Sequence, residues 1–244
     1  MKNKHVREIW ETLPGNFKDP EEFAKYFDTS SSLKEVEAMG YVDFYHKIFT
    51  NDFYNLVDDP RLKTCVEIGF GGGRILAAAS KLFNKAIGID IHNSFDMSEK
   101  YLKRQNVKNV SLIHANDMST IQDNSVDFVY SFIVFQHFIS WDDAEFYFRE
   151  IKRILTDNGA GIIYFGNNNR NQDDCYLVDD PNTDEYGASS SLLVKPQFAV
   201  NEMSNYVVPI EAKGTTKRPW RKDQSNQFYV KFVSKNHTAI KRST

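Results

Sequence analysis

At 244 residues, with 41% hydrophobic and 26% charged side chains, the chain can bury one substantial core and has the composition of a soluble globular protein. A net charge of -3 and a pI near 6.1 give no overall pull toward nucleic acid or an anionic membrane, and two cysteines, Cys65 and Cys175, make neither a disulfide framework nor a metal-ligand cluster. With no apolar run suited to a signal peptide near the N-terminus and no stretch long enough to span a membrane, the expected compartment is reduced and cytoplasmic.

Residues 1 to about 60 read as helical and aromatic. Val6, Ile9, Trp10 and Leu13 share one helical face, and Pro14-Gly15 stops that helix. Asp19-Pro20-Glu21-Glu22 is a helix start, with an N-cap, proline at the first position and acid behind it. Ser32 with Glu35 repeats the capping-box pattern, and Tyr41, Phe44, Tyr45, Ile48 and Phe49 predict a longer amphipathic helix ending before Asp58-Asp59-Pro60. Most of these aromatics are expected to pack helices onto a sheet, as a helical cap, with no individual substrate contact assigned.

Cys65-Val66-Glu67-Ile68-Gly69-Phe70-Gly71-Gly72-Gly73-Arg74 then predicts a buried strand, a glycine turn and the first turn of a helix continued by Ile75, Ala78, Ala79, Leu82 and Phe83. Glycines there permit positive φ and put no Cβ between backbone and ligand, and N–H groups at a helix start are expected to point outward. The dinucleotide fingerprint G-x-G-x-x-G fails, because its third glycine would stand where Arg74 does. Ala86 to Ile91 reads as a second strand whose acid, Asp90, stands about 17 to 21 residues after Gly73 and Gly69, a placement suited to the two hydroxyls of a ribose, with Ile91 beside the base.

A helix through Tyr101 and Leu102 leads to a third strand, Val110 to His114, and then to Ala115-Asn116-Asp117-Met118. Val126 to Ser131 predicts a fourth strand whose exit, through Phe135-Gln136-His137, carries polar groups to the carboxyl edge of the sheet. Asp142 to Leu155 is the clearest helix, capped by Ser140, and Gly161 to Phe165 is a fifth strand. Residues 167 to 190 form a polar, mostly acidic segment, expected as a lid, an insertion or disorder. Pro196 begins a short helix through Met203; Tyr206 to Ile210 and Phe228 to Val233 are the last strands, with Pro209 demanding an edge or a bulge. Lys213, Lys217, Arg218, Arg221 and Lys222 between them could draw an anionic substrate or form a solvated loop.

The series Glu67-x-Gly69-x-Gly71-x-Gly73, Asp90, Asp117 and Val126-Asp127-Phe128 through Ser131 resembles the motifs of the class I S-adenosylmethionine-dependent methyltransferases, of the small-molecule type. Leu155 to Gly161 resembles the family's LxPGG turn, with Asp157 where proline usually stands, and Asn116 stands where glycine is commoner. The resemblance covers about residues 60 to 235. It implies an α/β fold with a doubly wound, seven-stranded, mostly parallel sheet whose last strand is antiparallel. The expected domains are a helical cap at 1–60 and a Rossmann-like domain at 61–244. It also implies S-adenosylmethionine as cofactor, held by Glu67, Gly69, Gly71, Gly73, Asp90, Ile91, Asp117, Met118 and Ser131. Asp117 would reach the adenine amine, Met118 would wall the ring, and the backbone at Ser131 would face the methionine end.

Methyl transfer from a sulfonium is an in-line displacement, and it needs no metal. An alcohol acceptor must lose a proton. Of the six histidines only His137 falls at the mouth of the cleft, which nominates it as general base. The expected reaction is methylation of a small molecule, at an oxygen of a sugar or other metabolite. Two alternatives stand beside it: a Rossmann-fold NAD-dependent oxidoreductase and a cofactor-binding domain without turnover. Nucleic-acid substrates are argued against by the acidic pI and by the absence of a D/N-P-P-Y/F or Pro-Cys motif. The acceptor atom and the oligomeric state are not legible.

Overall fold

The computed structural model describes residues 8, 10–12, 17–27, 32–168, 172–178, 191–215 and 227–241. Strand β1 (Thr64–Ile68) lies between β2 (Lys85–Asp90) and β4 (Val126–Ser131) and runs parallel to both. Outside them lie β3 (Val110–His114) on β2 and β5 (Leu155–Asn167) on β4, again parallel. The chain winds outward from β1 in one direction and from β4 in the other. The crevice above their carboxyl ends is therefore the switch point where open α/β sheets bind ligands.

Strand β9 (Gln227–Val233) closes antiparallel on β5, and β8 (Val208–Gly214) pairs with β9 at the edge, with the expected irregularity between Pro209 and Glu211. These make the seven expected strands. Two more come from the polar segment: β6 (Cys175–Val178) and β7 (Ser191–Val194) pair with each other, and β7 adds to β5 at Gly166 and Asn167. Residues 169–171 and 179–190 of that segment, and the basic residues Lys217, Arg218, Arg221 and Lys222, lie outside the described residues.

Helices cover both faces. On one, α6 (Trp141–Ile154) and α7 (Pro196–Met203) pack Phe148, Ile151, Ile154 and Met203 against Val66, Val129 and Ile163. The Ser140–Asp143 capping box that starts α6 is formed reciprocally. On the other face lie α4 (Arg74–Ala79), α5 (Phe95–Arg104) and the N-terminal helices α1 (Pro20–Tyr26), α2 (Leu33–Asp43) and α3 (Phe53–Val57). Phe44, Phe49 and Phe53 are buried against the sheet, with Phe49 and Phe53 5.0 and 4.8 Å from the ring of Phe128. The N-terminal helices thus pack these aromatics onto the sheet, within its core.

Two sequence expectations need correction. The long helix predicted across Tyr41 to Val57 is interrupted: α2 widens into a π turn at Phe44–Ile48, closed by Phe49 N–H to the Phe44 carbonyl, and α3 starts afresh. The wider turn lets Phe44, Ile48 and Phe49 all face the sheet. The expected turn at Leu155 to Gly161 survives as a bulge, since Val126 pairs with Leu155 but Phe128 with Ala160. Of the first predicted helix, Trp10 is helical, while Val6, Ile9 and Leu13 lie outside the described residues.

Candidate active site

The glycine loop connects β1 to α4. Gly69 and Gly71 have φ of 80° and 50°, and a Cβ on either would collide, at 2.2 Å from Val134 and 2.8 Å from the ring of Phe27. The expectation of outward, unused N–H groups is not met for the three motif glycines. Gly69 N–H donates to the Ile89 carbonyl (2.7 Å), Gly73 N–H to the Phe70 carbonyl (2.8 Å) and Gly71 N–H to Asp90 Oδ2 (2.8 Å). The loop therefore cradles by close approach of its backbone.

Gly71 is held on its other side as well. Its carbonyl accepts from His92 Nε2 (3.2 Å) and from the Ser98 hydroxyl (2.9 Å). His92 Nδ1 accepts the Ser94 N–H, which places the ring proton on Nε2. Asp90, at the tip of β2, also accepts from Ile91 N–H through Oδ1 (2.7 Å). It keeps lone pairs toward the cleft, because a carboxylate has about four acceptor positions.

Glu67 is 2% exposed and accepts from the Tyr130 hydroxyl at 3.1 Å. Burial pushes its carboxyl up to about 8. The Tyr130 hydrogen bond and the charge of Arg74 oppose that shift, and Asp90 adds to it. Arg74 in turn donates to Asp43 of α2 at 2.6 Å, and Lys47 also pairs with Asp43.

These groups line a cavity of about 590 Å³ at the switch point, with Glu67, Gly69, Gly71, Asp90 and Ile91 on one wall. The lining is completed by Trp10, Lys25, Tyr26 and Phe27 from the N-terminal region, and by Phe132, Ile133 and Val134 from the exit of β4, with Phe27 and Val134 packed directly on the glycine loop. Ile133 holds φ at 62°, a position that costs a β-branched residue roughly 1–2 kcal/mol and is characteristic of functional sites. A second cavity, of about 320 Å³, reaches Ala115, Asn116 and Tyr147; Trp10, Ile91, His137 and Phe138 line both.

The remaining predicted site residues divide. His137 stands between the two cavities, 5.1 Å from the Trp10 ring. Gln136 accepts from Gln227 through Oε1 (2.8 Å) and presents its amide nitrogen to His137 Nε2 (3.2 Å). In this amide orientation Nε2 is an acceptor and the His137 proton lies on Nδ1. Asp117 is exposed beside the second cavity, whose wall carries Asn116 instead. Met118 is 1% exposed within the core, with its carbonyl bonded by Arg153, and it lines neither cavity. Ser131 is fully buried, and its hydroxyl ties the end of β4 to the Ile68 carbonyl (2.8 Å).

Sequence reasoning did not assign Trp10, Lys25, Tyr26, Phe27, Asp43 or His92. The aromatic density of the N-terminal region was visible, but which rings turn to the cavity and which to the core depends on how α1 sits over the loop. Among the described residues no helix is long and apolar enough to cross a membrane.

Fold and cleft together define a Rossmann-like nucleotide-binding domain. Residues 66–163, from β1 into β5, match the family model described as a methyltransferase domain. No curated protein sequence matches the chain. Among solved structures it is similar to a SAM-dependent methyltransferase from Aquifex aeolicus (TM-score 0.56, 14% identity, 82% of this chain and 95% of that one covered). It is also similar to one from Mesorhizobium loti (0.56, 12%, 75% and 95%). A third is the 1,6-didemethyltoxoflavin-N1-methyltransferase of Burkholderia thailandensis, crystallised with its substrate and S-adenosylhomocysteine (0.55, 12%, 87% and 90%). At these identities the likeness is one of fold.

Proposed function

We propose that the chain transfers a methyl group from S-adenosylmethionine to a small-molecule acceptor, at an oxygen of a sugar or other metabolite. The observation that carries the reading is a single cavity that joins Glu67, the glycine loop and Asp90 on one wall to His137 and apolar side chains on the other. The residues fit the cofactor. The bare backbone at Gly69 and Gly71 lets Val134 and Phe27 pack directly on the loop and shape the cavity beside it, Asp90 offers acceptors to the ribose hydroxyls, and Ile91 with Asn116 borders the adenine end. When bound, the cofactor supplies an electrophilic methyl carbon. The chain's own part is to orient the acceptor atom toward it and exclude water.

Trp10, Phe27 and Phe132 give the acceptor flat apolar walls. Asp43 pairs with both Arg74 and Lys47, and Lys25 on the cavity lining offers a cation to an anionic group on the acceptor. A hydroxyl acceptor gives its proton to His137 Nε2 once it displaces the Gln136 amide from that nitrogen.

Calorimetry on the purified protein tests the reading. S-adenosylmethionine and S-adenosylhomocysteine are expected to bind in the micromolar range and NAD not at all. Binding of NAD alone would replace the reading with the oxidoreductase one, and binding without turnover of any acceptor would leave a non-catalytic domain. A His137→Ala variant should keep its affinity for S-adenosylhomocysteine and lose turnover at neutral pH; unchanged turnover removes His137 as the base.

A further inference from the structure

His92 is 1% exposed, Ser98 is fully buried, and both donate to the carbonyl of one residue, Gly71. The N–H of that residue donates to Asp90, the carboxylate assigned to the ribose. The His92 ring sits among four phenylalanines, 5.1 Å from Phe70, 5.1 Å from Phe95, 5.6 Å from Phe23 and 6.1 Å from Phe27. Phe23 and Phe27 belong to the N-terminal cap, Phe70 to the glycine loop and Phe95 to α5. A buried imidazole with both nitrogens engaged, set where three elements meet, fixes geometry through its hydrogen bonds.

From this arrangement we infer that His92 is a positioning residue for the cofactor, an inference that rests on the function proposed above. Holding the Gly71 carbonyl sets the tilt of the Gly71 peptide and hence the direction of its N–H. That N–H occupies Oδ2 of Asp90, while Ile91 N–H occupies Oδ1. The backbone N–H of His92 also donates to Oδ1, at 3.4 Å, and the three bonds leave Asp90 with acceptor capacity on the cavity that it lines. Without the imidazole N–H, Ser98 alone holds the carbonyl, the peptide can rotate, and Asp90 follows it. His92 also fixes Phe27 over Gly71, where a Cβ would meet the ring at 2.8 Å, so that cap and loop move as one body.

Two variants separate this role from packing. His92→Phe keeps an aromatic disc among the four rings but has no donor, whereas His92→Gln carries an N–H to about the position of Nε2. With S-adenosylhomocysteine as the titrant, His92→Phe should raise the dissociation constant about five- to tenfold, the value of one lost hydrogen bond, and His92→Gln should recover most of it. The melting temperature without ligand should stay within a few degrees of wild type for both. Equal affinity in wild type and His92→Phe overturns the inference, as does a loss that His92→Gln shares while both variants melt early, which marks a packing role. Failure of the wild-type protein to bind S-adenosylhomocysteine would instead strike at the proposed function.

Discussion

Glu67 carries an ionisable group into the middle of a parallel sheet, and its titration should be visible in the stability of the whole molecule. Its carboxyl is raised from 4.5 to about 8, chiefly by burial. The folded protein therefore holds a proton there that the unfolded chain releases near 4.5. Stability is full below that value and falls as the pH rises toward 8, with a slope of up to about 1.4 kcal/mol per pH unit from this group. Urea titrations at steps between pH 5 and 8 should show the decline in the wild type and a flatter profile in Glu67→Gln. Parallel profiles would mean that Glu67 is ionised in the fold. Glu67, Gly69, Gly71 and Asp90 reach the cavity because their placement is set within a strand and the turn after it, whereas Gly73 starts α4 and lines neither cavity. Met118 and Ser131 differ because burial decides them: Ala115 starts a 3-10 turn that rolls Met118 under the sheet, and the Ser131 hydroxyl reaches β1, 63 residues away in sequence.

Between residue and molecule, the link that matters is α2 to α4. Gly40 of α2 lies so close to α4 that a Cβ would come within 2.4 Å of the Arg74 carbonyl oxygen, and one turn later Asp43 meets the Arg74 guanidinium. Both partners are shielded, at 2% and 12% side-chain exposure, so removing one strands a charge. Breaking such a pair costs about 3–5 kcal/mol, whereas an exposed pair costs about 1 or less. Asp43→Asn should therefore lower the melting temperature by roughly 10 °C, measured by differential scanning calorimetry. A fall under about 2 °C would show that the pair is solvated. Helix starts at Asp19, Ser32, Ser140 and Pro196 were readable because a cap is a local pattern, and each is found in place. The π turn after Asp43 was not readable. Its widening answers to the sheet beneath Phe44 and Ile48, and periodicity within the helix carries no trace of that surface.

At the scale of the molecule, the boundary expected near residue 60 joins two parts of one core. Val36, Phe44, Ile48, Phe49, Phe53 and Val57 are buried on the same face as Cys65, Phe128, Tyr130 and Tyr164, and the Tyr164 hydroxyl donates to the Lys47 carbonyl at 2.8 Å. Each of those six side chains contributes about 1.5–3 kcal/mol by burial, together on the order of 9–18 kcal/mol. That sum matches the whole stability of a typical domain, about 5–15 kcal/mol. A protein beginning at residue 61 should thus retain strands and α6 yet lack fixed packing on the face it has lost. Its expected behaviour is a far-ultraviolet spectrum with mixed α/β content, strong binding of a hydrophobic dye and no cooperative melting transition. A sharp transition within about 5 °C of the full chain would make 61–244 a self-sufficient domain and the N-terminal helices a true appendage. The same N-terminal region, ahead of α2, supplies Trp10, Lys25, Tyr26 and Phe27 to the cavity wall, so the part of the chain that completes the core also lines the cavity. Fold and cavity are for that reason not separable in this chain, and changes on the core side of α1 and α2 should alter the binding of S-adenosylhomocysteine, measured by calorimetry, as well as stability.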